Sequence, residues 1–456
     1  MSGTGVPSSW QSVLPYLSEP LPSDRSPENS GSSGVQLNLP LELVRQSVQE
    51  REHWPIPEEV AQAYGRYRPT PLWRARNFED AIGSRVPVYV KYEGGNISGS
   101  HKLNTALAQA YYYKKAGVRE LVTGTGAGQW GTALAAACAL FGLGCRVFMV
   151  ESSLRRKPYR GVLMRMLGAE VLSSPSGLTR VSADHDSGRG NSLSLAIGEA
   201  VEYANTHEGT AFCIGSGETY SILHQSIIGI EARDQLAGLD GHVDAVVGAV
   251  GAGSNFGGIA LPFHCSAASA NTRPPMLVGA ESTTAPKLTR GVFAYDKTDA
   301  TGTGPLEAMY TIGSDYPIPD AHSAGLRFHG AAKVISAMRH RGDIEAMAVS
   351  QTDALEAGRQ LTVSETVLAA PESGHALAAA AKLATRGSDG LRAERGVLVC
   401  VSGHGYLDLA AYEQFLNGEL EDEAPAEHAL MAAVSGLTPA GAPTLLPPRQ
   451  TVGGPA

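Results

Sequence analysis

Short apolar runs alternate with amphipathic stretches over most of this chain, and glycines and prolines separate them. Strands buried on both faces read as continuous apolar runs, so this alternation predicts a mainly parallel sheet covered by helices. The predicted strands are residues 88–92, 120–123, 145–150, 170–172, 211–214, 243–250, 276–280 and 396–401. The predicted helices are residues 41–49, 57–64, 101–116, 132–141, 159–167, 192–205, 222–236, 333–341, 352–361 and 375–384.

Both ends of the chain lack this alternation. Residues 1–40 are rich in Ser, Pro and Gly, and they predict an extended arm with a flexible insert. After about residue 416 the chain is first acidic and then rich in Pro, Gly and Ala, so we expect a mobile tail with one short helix near Leu430. With 456 residues, the chain is long enough for one large α/β unit or two domains.

Composition excludes several classes of partner. The net charge is −9 and no dense block of Lys and Arg is present, so nucleic acid is not an expected partner. No apolar run reaches the length of a membrane span, no signal-peptide pattern is visible, and no HxxxH or HExxH motif predicts a transition metal. The five cysteines are scattered without a CxxC pair, which predicts reduced thiols and a cytoplasmic location.

Lys102 has an unusual position for a lysine. It follows the predicted strand 88–92 and a glycine turn, and it lies in the first turn of a predicted helix for which Ser100 is the expected N-cap and Gly117 the stop. Most lysines are solvated surface charges. In a first turn, however, the helix N–H dipoles disfavour a positive charge, which suits an amine needed in its neutral, nucleophilic form. Lys102 is therefore a candidate Schiff-base lysine.

The first of three glycine turns, residues 124–131, carries a GxGxxG pattern at Gly126, Gly128 and Gly131 between a strand and a helix. Glu151 follows at the end of the next strand, which is the layout of a dinucleotide-binding unit. On this segment alone, an NAD-dependent dehydrogenase stays open.

The second and third turns favour a different cofactor. In residues 248–258 Phe256 takes the third glycine position, but Gly251, Gly253, Ser254 and Asn255 at a helix start make a good cradle for one phosphate. The third turn begins with Ser402 at the end of the last strand. Because ligands gather at the carboxyl ends of parallel strands, a phosphate cradle, a serine and Lys102 on one rim favour pyridoxal phosphate over NAD.

In these motifs the chain resembles the β subunit of tryptophan synthase, most closely its second, stand-alone-type branch. The resemblance covers about residues 10–412, and its matching segments are residues 68–72, 99–107, 126–133, 157–160, 223–225, 251–258, 288–291, 325–327, 372–377 and 402–405. It implies a type II pyridoxal-phosphate fold: two three-layer α/β domains with mostly parallel sheets and the cofactor between them.

The resemblance also divides the chain and suggests its assembly. It implies an N-terminal arm (1–65), a first α/β domain (66–240) that includes a mobile subdomain at about 117–213, a second α/β domain that binds the phosphate (241–415), and the tail (416–456). A homodimer is implied, and an α-type partner subunit is left open. A monovalent cation held by backbone carbonyls is also left open.

The family's site residues map onto this sequence. Lys102 would hold pyridoxal phosphate covalently and move protons at the substrate Cα, while Ser402 would meet the pyridine nitrogen and Glu372 would lie close to the ring. The phosphate would be bound by His101, Gly251, Gly253, Ser254 and Asn255. The amino-acid substrate would be bound by the loop that comprises Gly124, Thr125, Gly126, Ala127, Gly128, Gln129 and Trp130.

One position departs from the family. Its substrate loop reads Glu-Thr-Gly-Ala-Gly-Gln, and here Gly124 replaces the glutamate that helps to expel the hydroxyl of serine and steers indole. Glu93 and Glu120 do not obviously replace it, whereas Glu218 or Tyr220 could reshape the pocket or supply a proton. General acid–base help is worth about 10²–10⁴ in rate, so ordinary chemistry should suffer.

Three functions are therefore compatible with the sequence. The first is a β-replacement that joins a specialised nucleophile to a small serine-like amino acid. The second is ordinary tryptophan synthesis from indole and L-serine, and the third is a protein that binds the cofactor with little turnover. If the rest of the pocket is intact, restoring the acid by Gly124→Glu should raise activity with indole and serine.

Overall fold

The computed structural model describes residues 5–26, 39–183, 193–298, 304–386 and 395–441. Within these ranges the strands are, in chain order, β1 (Ser9–Gln11), β2 (His53–Pro55), β3 (Leu72–Arg74), β4 (Val88–Tyr92), β5 (Glu120–Thr125), β6 (Gly144–Val150), β7 (Glu170–Ser174), β8 (Thr210–Phe212), β9 (Val243–Ala249), β10 (Met276–Ser282), β11 (Val292–Asp296), β12 (Glu307–Thr311), β13 (Glu345–Val349), β14 (Gly396–Val401) and β15 (Thr438–Pro439).

The α-helices of the same ranges are α1 (Leu41–Val48), α2 (Glu58–Tyr64), α3 (Arg76–Ile82), α4 (Lys102–Lys115), α5 (Gln129–Phe141), α6 (Glu151–Arg156), α7 (Pro158–Met166), α8 (Arg180–Ala183), α9 (Leu193–Thr206), α10 (Thr219–Gln225), α11 (Ile227–Gly238), α12 (Ser254–Ser269), α13 (Lys287–Arg290), α14 (Lys333–Arg341), α15 (Gln351–Glu365), α16 (Pro371–Arg386), α17 (Leu409–Leu416) and α18 (Glu427–Val434).

The larger sheet has six strands in the order β13-β10-β9-β14-β4-β3. All neighbours are parallel except β3, which runs antiparallel to β4 at the edge. Side chains alternate between its faces, so Val88 and Val90 belong to the core that contains α16, while Tyr89 belongs to the core that contains α12. Helices thus cover both faces, as the continuous apolar runs predict.

The smaller sheet has four parallel strands in the order β7-β6-β5-β8. Helix α5 packs on one face together with Met149 and Val147, whereas α9 packs on the other with Val122 and Phe148. The chain therefore forms two three-layer α/β units with mostly parallel sheets, and the predicted fold class is confirmed.

Sheet membership does not follow the predicted boundary at residue 240. Strands β3 and β4, which that division assigns to the first α/β domain, pair into the larger sheet beside β14. All four strands of the smaller sheet lie within residues 117–213, the stretch predicted as a mobile subdomain. The domain boundaries themselves stay a prediction.

Some elements differ from the sequence pattern. The predicted helix 222–236 is two helices, because it is interrupted at Ser226, whose hydroxyl accepts a hydrogen bond from the backbone of Gln11 at 2.9 Å. Three antiparallel strands, β12-β11-β15, have no predicted counterpart, and nor have the β1-β2 ribbon, β3, β13 and α17. Such strands are short or alternate with polar residues, so they give no continuous apolar run.

The first part of the predicted mobile tail packs against the unit that contains the larger sheet. The short helix expected near Leu430 is α18, and Leu430 is buried against Ala285 and Ile312. Strand β15 then pairs with β11. The rest of the tail, residues 442–456, lies outside the described residues, as do residues 27–38 of the N-terminal arm.

The described part of the chain contains neither a candidate membrane span nor a candidate metal cluster. No helix there combines the length and apolarity needed to cross a membrane. No three His, Cys, Asp or Glu side chains there come together to hold a metal ion.

A buried ionic network lies beneath the start of α4. Arg68 donates to Glu93 at 2.9 Å, to Glu231 at 2.8 Å and to the side-chain oxygen of Asn104 at 2.8 Å. Lys91 donates to Glu231 at 2.9 Å. Burial alone would raise the pKa of Glu93, but Arg68 and Lys91 outweigh it and lower that pKa to about 2. The four charges therefore balance inside the protein.

We expect Glu93→Gln to be strongly destabilising, because it leaves Arg68 buried with only part of its compensating charge. Breaking a buried ion pair in this way costs about 3–5 kcal/mol, which chemical unfolding followed by circular dichroism measures. The matched control is Glu356→Gln, which removes a half-exposed pair with Arg359 and should cost less than about 1 kcal/mol. Equal losses in the two variants would contradict the structural role of the network.

Candidate active site

The start of α4 places Lys102 at the mouth of a cavity. The turn after β4 is closed by Gly99, which has φ +70°, and a Cβ there would lie 2.3 Å from the ring of His404. The helix begins at Lys102, one residue later than an N-cap at Ser100 predicts. The residue before it, His101, has helical dihedral angles. Burial lowers the pKa of Lys102 to about 8, although Glu372 opposes the shift. About a fifth of its amine is therefore neutral at pH 7.4, compared with about a thousandth for a lysine of ordinary pKa.

The loop between β9 and α12 approaches other backbone too closely for side chains. A Cβ on Gly251 would lie 2.2 Å from the carbonyl oxygen of Gly325, and Gly253 has φ +113°. Ser254 and Asn255 form the first turn of α12, where backbone N–H groups lack partners within the helix. The amide of Asn255 donates to the sulfur of Cys400 at 3.2 Å, while its oxygen has no partner among the described residues. The loop has the features of an anion site.

Two further groups complete the cavity wall. The Ser402 hydroxyl shares a hydrogen bond of 2.8 Å with the Ser373 hydroxyl, and the Ser402 carbonyl accepts from the His101 backbone at 2.9 Å. Glu372 accepts from the backbone of Gly325 at 2.9 Å through one oxygen, and its other oxygen has no described partner. The turn after β14 and the start of α16 are thus fixed beside the start of α4.

We call this space the main cavity; its volume is about 40 Å³. It is lined by nine residues that the sequence predicts: His101, Lys102, Gln129, Gly251, Gly253, Ser254, Asn255, Glu372 and Ser402. Five lining residues were not predicted as site residues: Ser216, Ala249, Ala252, Gly325 and Leu326. Ala249 and Ala252 belong to the second glycine turn, and Gly325 and Leu326 belong to a segment that matches the family, although no site role was predicted for any of them.

Unpartnered buried polar atoms test whether the expected cofactor fits. The Nδ1 atom of His101, one oxygen of Asn255 and one oxygen of Glu372 have no partner among the described residues. Buried polar groups normally find partners, so these atoms indicate a polar ligand. Burial also lowers the pKa of His101 to about 3, which keeps its ring neutral. Together with the helix N-terminus of α12, the set fits a phosphate joined to a heteroaromatic ring.

The substrate loop lies between β5 and α5. Gly128 has φ +86°, and Gln129 is the first residue of α5 and reaches the main cavity. The Trp130 indole donates to Thr123 at 2.8 Å and packs on Gly215, where a Cβ would lie 2.2 Å from the ring. Of the predicted loop, only Gln129 lines the main cavity. Gly124, Thr125, Gly126, Ala127, Gly128 and Trp130 do not line it.

Gly124 is packed directly under α9. A Cβ at this position would lie 2.5 Å from the backbone of Ala196 and Ile197, closer than real Cβ atoms approach a backbone. A glutamate therefore has no room at position 124 while α9 keeps its place. The Gly124→Glu prediction assumes an intact pocket, and this contact means that the substitution must first displace α9.

The other acids considered from the sequence do not take the place of the missing one. Glu93 belongs to the buried network, and Glu120 forms an ion pair of 3.5 Å with Arg146 at the opposite end of β5. Glu218 and Tyr220 line a second cavity next to the main one. The five cysteines are free and buried, as the reduced-thiol interpretation requires.

We expect Gly124→Ala to destabilise the protein by about 1–3 kcal/mol, because its methyl group would overpack the contact between β5 and α9. Gly126→Ala is the matched control: a Cβ there meets nothing within 4 Å, so the cost should stay within about 0.5 kcal/mol. Chemical unfolding of both variants measures the difference. A Gly124→Ala variant as stable as Gly126→Ala would contradict the close contact.

Comparison with known proteins agrees with the geometry of the main cavity. The family model described as "Pyridoxal-phosphate dependent enzyme" matches residues 64–403. The chain is 41% identical to the tryptophan synthase beta chain of Thermococcus onnurineus, over 92% of this chain and 96% of that protein. It is 42% identical to tryptophan synthase beta chain 2 of Aeropyrum pernix, with coverage of 92% and 96%. For beta chain 2 of Aquifex aeolicus the identity is 41%, with coverage of 91% and 98%.

A solved structure shows the same fold. The processed form of threonine deaminase isoform 2 from Solanum lycopersicum superposes with a TM-score of 0.60 at 17% identity, and the match covers 89% of this chain and 98% of that one. These matches decide against the NAD-dependent dehydrogenase that the GxGxxG pattern left open. The chain belongs to the pyridoxal-phosphate-dependent enzymes of fold type II and, within them, to the tryptophan synthase beta chains of the second type.

Proposed function

We propose that this enzyme catalyses a specialised β-replacement on a serine-like amino acid. In this reaction the bond between Cβ and its substituent breaks and a bond from Cβ to a nucleophile forms. The substituent leaves with the proton that the nucleophile gives up, so atoms and electrons balance. The proposal rests on the family of the chain and on the main cavity, which brings a partly neutral lysine, a phosphate loop and a serine together.

Pyridoxal phosphate, when bound, supplies an electron sink that stabilises negative charge at the substrate Cα. Lys102 would bind its aldehyde carbon covalently and take the Cα proton, because burial leaves much of its amine neutral. Gly251, Gly253, Ser254 and Asn255 would bind the phosphate at the N-terminus of α12. His101, which is neutral, would add a hydrogen bond without adding charge.

Two groups would tune the ring. The hydroxyl of Ser402 would meet the pyridine nitrogen, and a serine, unlike a carboxylate, leaves that nitrogen unprotonated. Glu372 would lie beside the ring, since the backbone of Gly325 holds one of its oxygens and leaves the other unpartnered. A neutral ring nitrogen goes with elimination and replacement at Cβ in this family.

The substrate carboxylate would be bound by residues 124–130. The N-terminus of α5 presents backbone N–H groups, and Gln129 at that terminus reaches the main cavity. Gly128 is held in a left-handed conformation beside Arg160, which fixes the loop where the helix begins. The amino acid would thus be held by the smaller sheet while the cofactor is held by the larger one.

The packing of α9 on Gly124 carries the specialised part of the proposal. It leaves no space for the acid that would help a poor leaving group to depart, so the preferred donor should need less help. General acid catalysis is worth about 10²–10⁴ in rate, which a better leaving group at Cβ or a stronger nucleophile than indole can offset. We therefore propose a donor such as an O-acylated or O-phosphorylated serine.

Ordinary tryptophan synthesis from indole and L-serine is the second candidate. Its support is the name of the relatives, which are tryptophan synthase beta chains over nearly the whole length of both proteins. The position of α9 over Gly124 argues against it. A protein that binds the cofactor with little turnover is the third possible result of the same experiment.

We expect O-acetyl-L-serine to be converted about 10² times faster than L-serine or more, with a thiol or indole as nucleophile. Mass spectrometry of the amino-acid products measures both rates, and the Lys102→Ala variant should form no product. If L-serine reacted with indole as fast as O-acetyl-L-serine does, ordinary tryptophan synthesis would be established instead. No product from serine, O-acetylserine or O-phosphoserine would establish the inactive form.

The pH dependence of cofactor attachment tests the role of Lys102. Only the neutral amine attacks the cofactor aldehyde, and a lowered pKa enlarges the neutral fraction. The rate of attachment to the apoenzyme should therefore rise with pH and level off above about 8. Stopped-flow absorbance between about pH 6.5 and 9.5 measures this rate, a range that ends below the ordinary lysine pKa of about 10.4. A rate still rising tenfold per pH unit at the upper end would contradict the low pKa.

The assembly and cellular location belong to the same proposal. A homodimer is the state that the family implies, and the five buried free thiols support a reducing compartment such as the cytoplasm. Size-exclusion chromatography coupled to light scattering would measure the mass of the assembly.

A further inference from the structure

A second cavity of about 80 Å³ adjoins the main one, and Ser216 lines both. We call it the side cavity. Most of its wall is apolar and comes from four separate parts of the chain, with contributions that include Leu39, Ile197, Phe212, Met309 and Phe328. This wall would suit an apolar ligand if it contained no charge.

Two carboxylates interrupt this apolar wall. Glu218 directly precedes α10, and Glu307 begins β12, so each comes from a different element. Neither side-chain carboxylate accepts a hydrogen bond from any residue in the described part of the chain. Burial raises the pKa of both groups, and the neighbouring charge of Glu218 helps to raise that of Glu307 to about 8. Glu307 thus lies beside a like charge in a mostly apolar wall, and no cation among the described residues forms an ion pair with either carboxylate.

The nearest cation does not supply that partner. Lys333, at the start of α14, lowers the pKa of both carboxylates, but its ammonium is paired with Asp24 of the N-terminal arm. The cluster therefore contains three carboxylates and one ammonium. Even when Glu218 and Glu307 share one proton, the cluster keeps a net negative charge.

An unpartnered hydroxyl independently indicates a ligand. Tyr220 lines the side cavity with only 1% of its surface exposed, and its hydroxyl has no hydrogen-bond partner among the described residues. Leaving a buried hydroxyl unpaired is unfavourable, so such groups usually meet a ligand or water. An anion cannot be the ligand beside two carboxylates, and a purely apolar one would leave all three groups unsatisfied.

The loop that precedes α10 aims these groups at the reaction centre. Gly215 packs on Trp130 of the substrate loop, and Gly217 has φ +99°, with the Cβ of Ala252 in the phosphate loop 3.9 Å from where a Cβ on Gly217 would lie. Glu218 therefore follows a segment fixed between the two loops that line the main cavity. A ligand held by Glu218 would extend past Ser216 toward the cofactor site.

We propose that the side cavity binds the nucleophilic co-substrate through a basic nitrogen, with Glu218 and Glu307 holding an ammonium or guanidinium group and Tyr220 accepting one of its hydrogen bonds. The inference deepens the proposed function, on which it rests. The co-substrate would then be a small molecule with a cationic group at one end and the nucleophilic atom, a few bonds away, at the other. Its apolar middle would contact the wall that includes Phe212 and Met309.

Binding without turnover tests the site directly. Calorimetry of the cofactor-loaded protein compares propylguanidinium with propylurea, a neutral molecule of nearly the same shape. We expect propylguanidinium to bind about tenfold tighter or more, the effect of one charge-assisted hydrogen bond, and we expect Glu218→Gln/Glu307→Gln to lose this preference. The two single variants keep the test available if the double variant does not fold.

The exposed Glu345 provides the control, because Glu345→Gln removes one negative charge outside the cavity and should leave the preference unchanged. The absence of any preference in the unmodified protein would overturn the proposal. A preference that persists in the double variant would overturn it equally, because the cation would then bind elsewhere.

A second experiment separates this inference from the proposed function. With O-acetyl-L-serine as donor, cysteamine and 1-propanethiol are nucleophiles of matched size, and only cysteamine carries an ammonium. The ammonium also makes the cysteamine thiol more acidic, so the readout is the ratio of the two rates, and we expect this ratio to fall about tenfold or more in the double variant. An unchanged ratio would overturn the site but leave the β-replacement intact. No product with either thiol, together with selective binding of propylguanidinium, would overturn the β-replacement but leave the site intact.

Discussion

The bidentate contacts of Arg68 with two buried carboxylates are the constraint on which the site depends. Arg68 reaches Glu93 at the end of β4, Glu231 on α11 and Asn104 in the first turns of α4. Four buried charges cancel there, so each one needs the others. Asn104 is two residues from Lys102, and the network therefore fixes the helix start that carries the reactive amine. The half-buried Lys102 is thus placed above charged groups that are already paired with one another.

Close backbone contacts shape the rest of the pocket. Gly99 lets the His404 ring approach the turn before Lys102, and Gly251 lets the carbonyl of Gly325 approach the phosphate loop. The same kind of contact at Gly124 has the opposite chemical consequence, because it brings α9 into the space that an acidic side chain would need. Gly124 is thus part of a pocket wall that α9 completes, and the acid is not simply missing from an otherwise open space. A change of substrate is the simplest functional consequence of such a wall.

Much of this arrangement is readable from the chain, and the reasons for the remainder are physical. Continuous apolar runs indicate buried parallel strands, so β4, β14 and the layered fold can be predicted from the sequence. The phosphate loop and Lys102 are local motifs at strand ends, and the sheet brings strand ends together. By contrast, Glu307 reaches the side cavity through long-range packing and lies in no motif, and the segment that contains Gly325 and Leu326 gives no sign of which cavity it lines. The position of α9 over Gly124 is likewise a tertiary contact between residues some seventy positions apart, which no periodicity reports.

The two cavities together suggest a division of labour, with cofactor and amino acid in the main cavity and the nucleophile in the side cavity. That account depends on Lys102 being the residue that holds the cofactor. Lys287 is the alternative, because it is buried and its pKa is also lowered to about 8, but it does not line the main cavity and its amine donates to the backbone carbonyls of Val250 and Leu326. Borohydride reduction of the cofactor-loaded protein, followed by peptide mass spectrometry, distinguishes the two. The account predicts a phosphopyridoxyl group on the peptide that contains Lys102, whereas a label on Lys287 or on no lysine would contradict it.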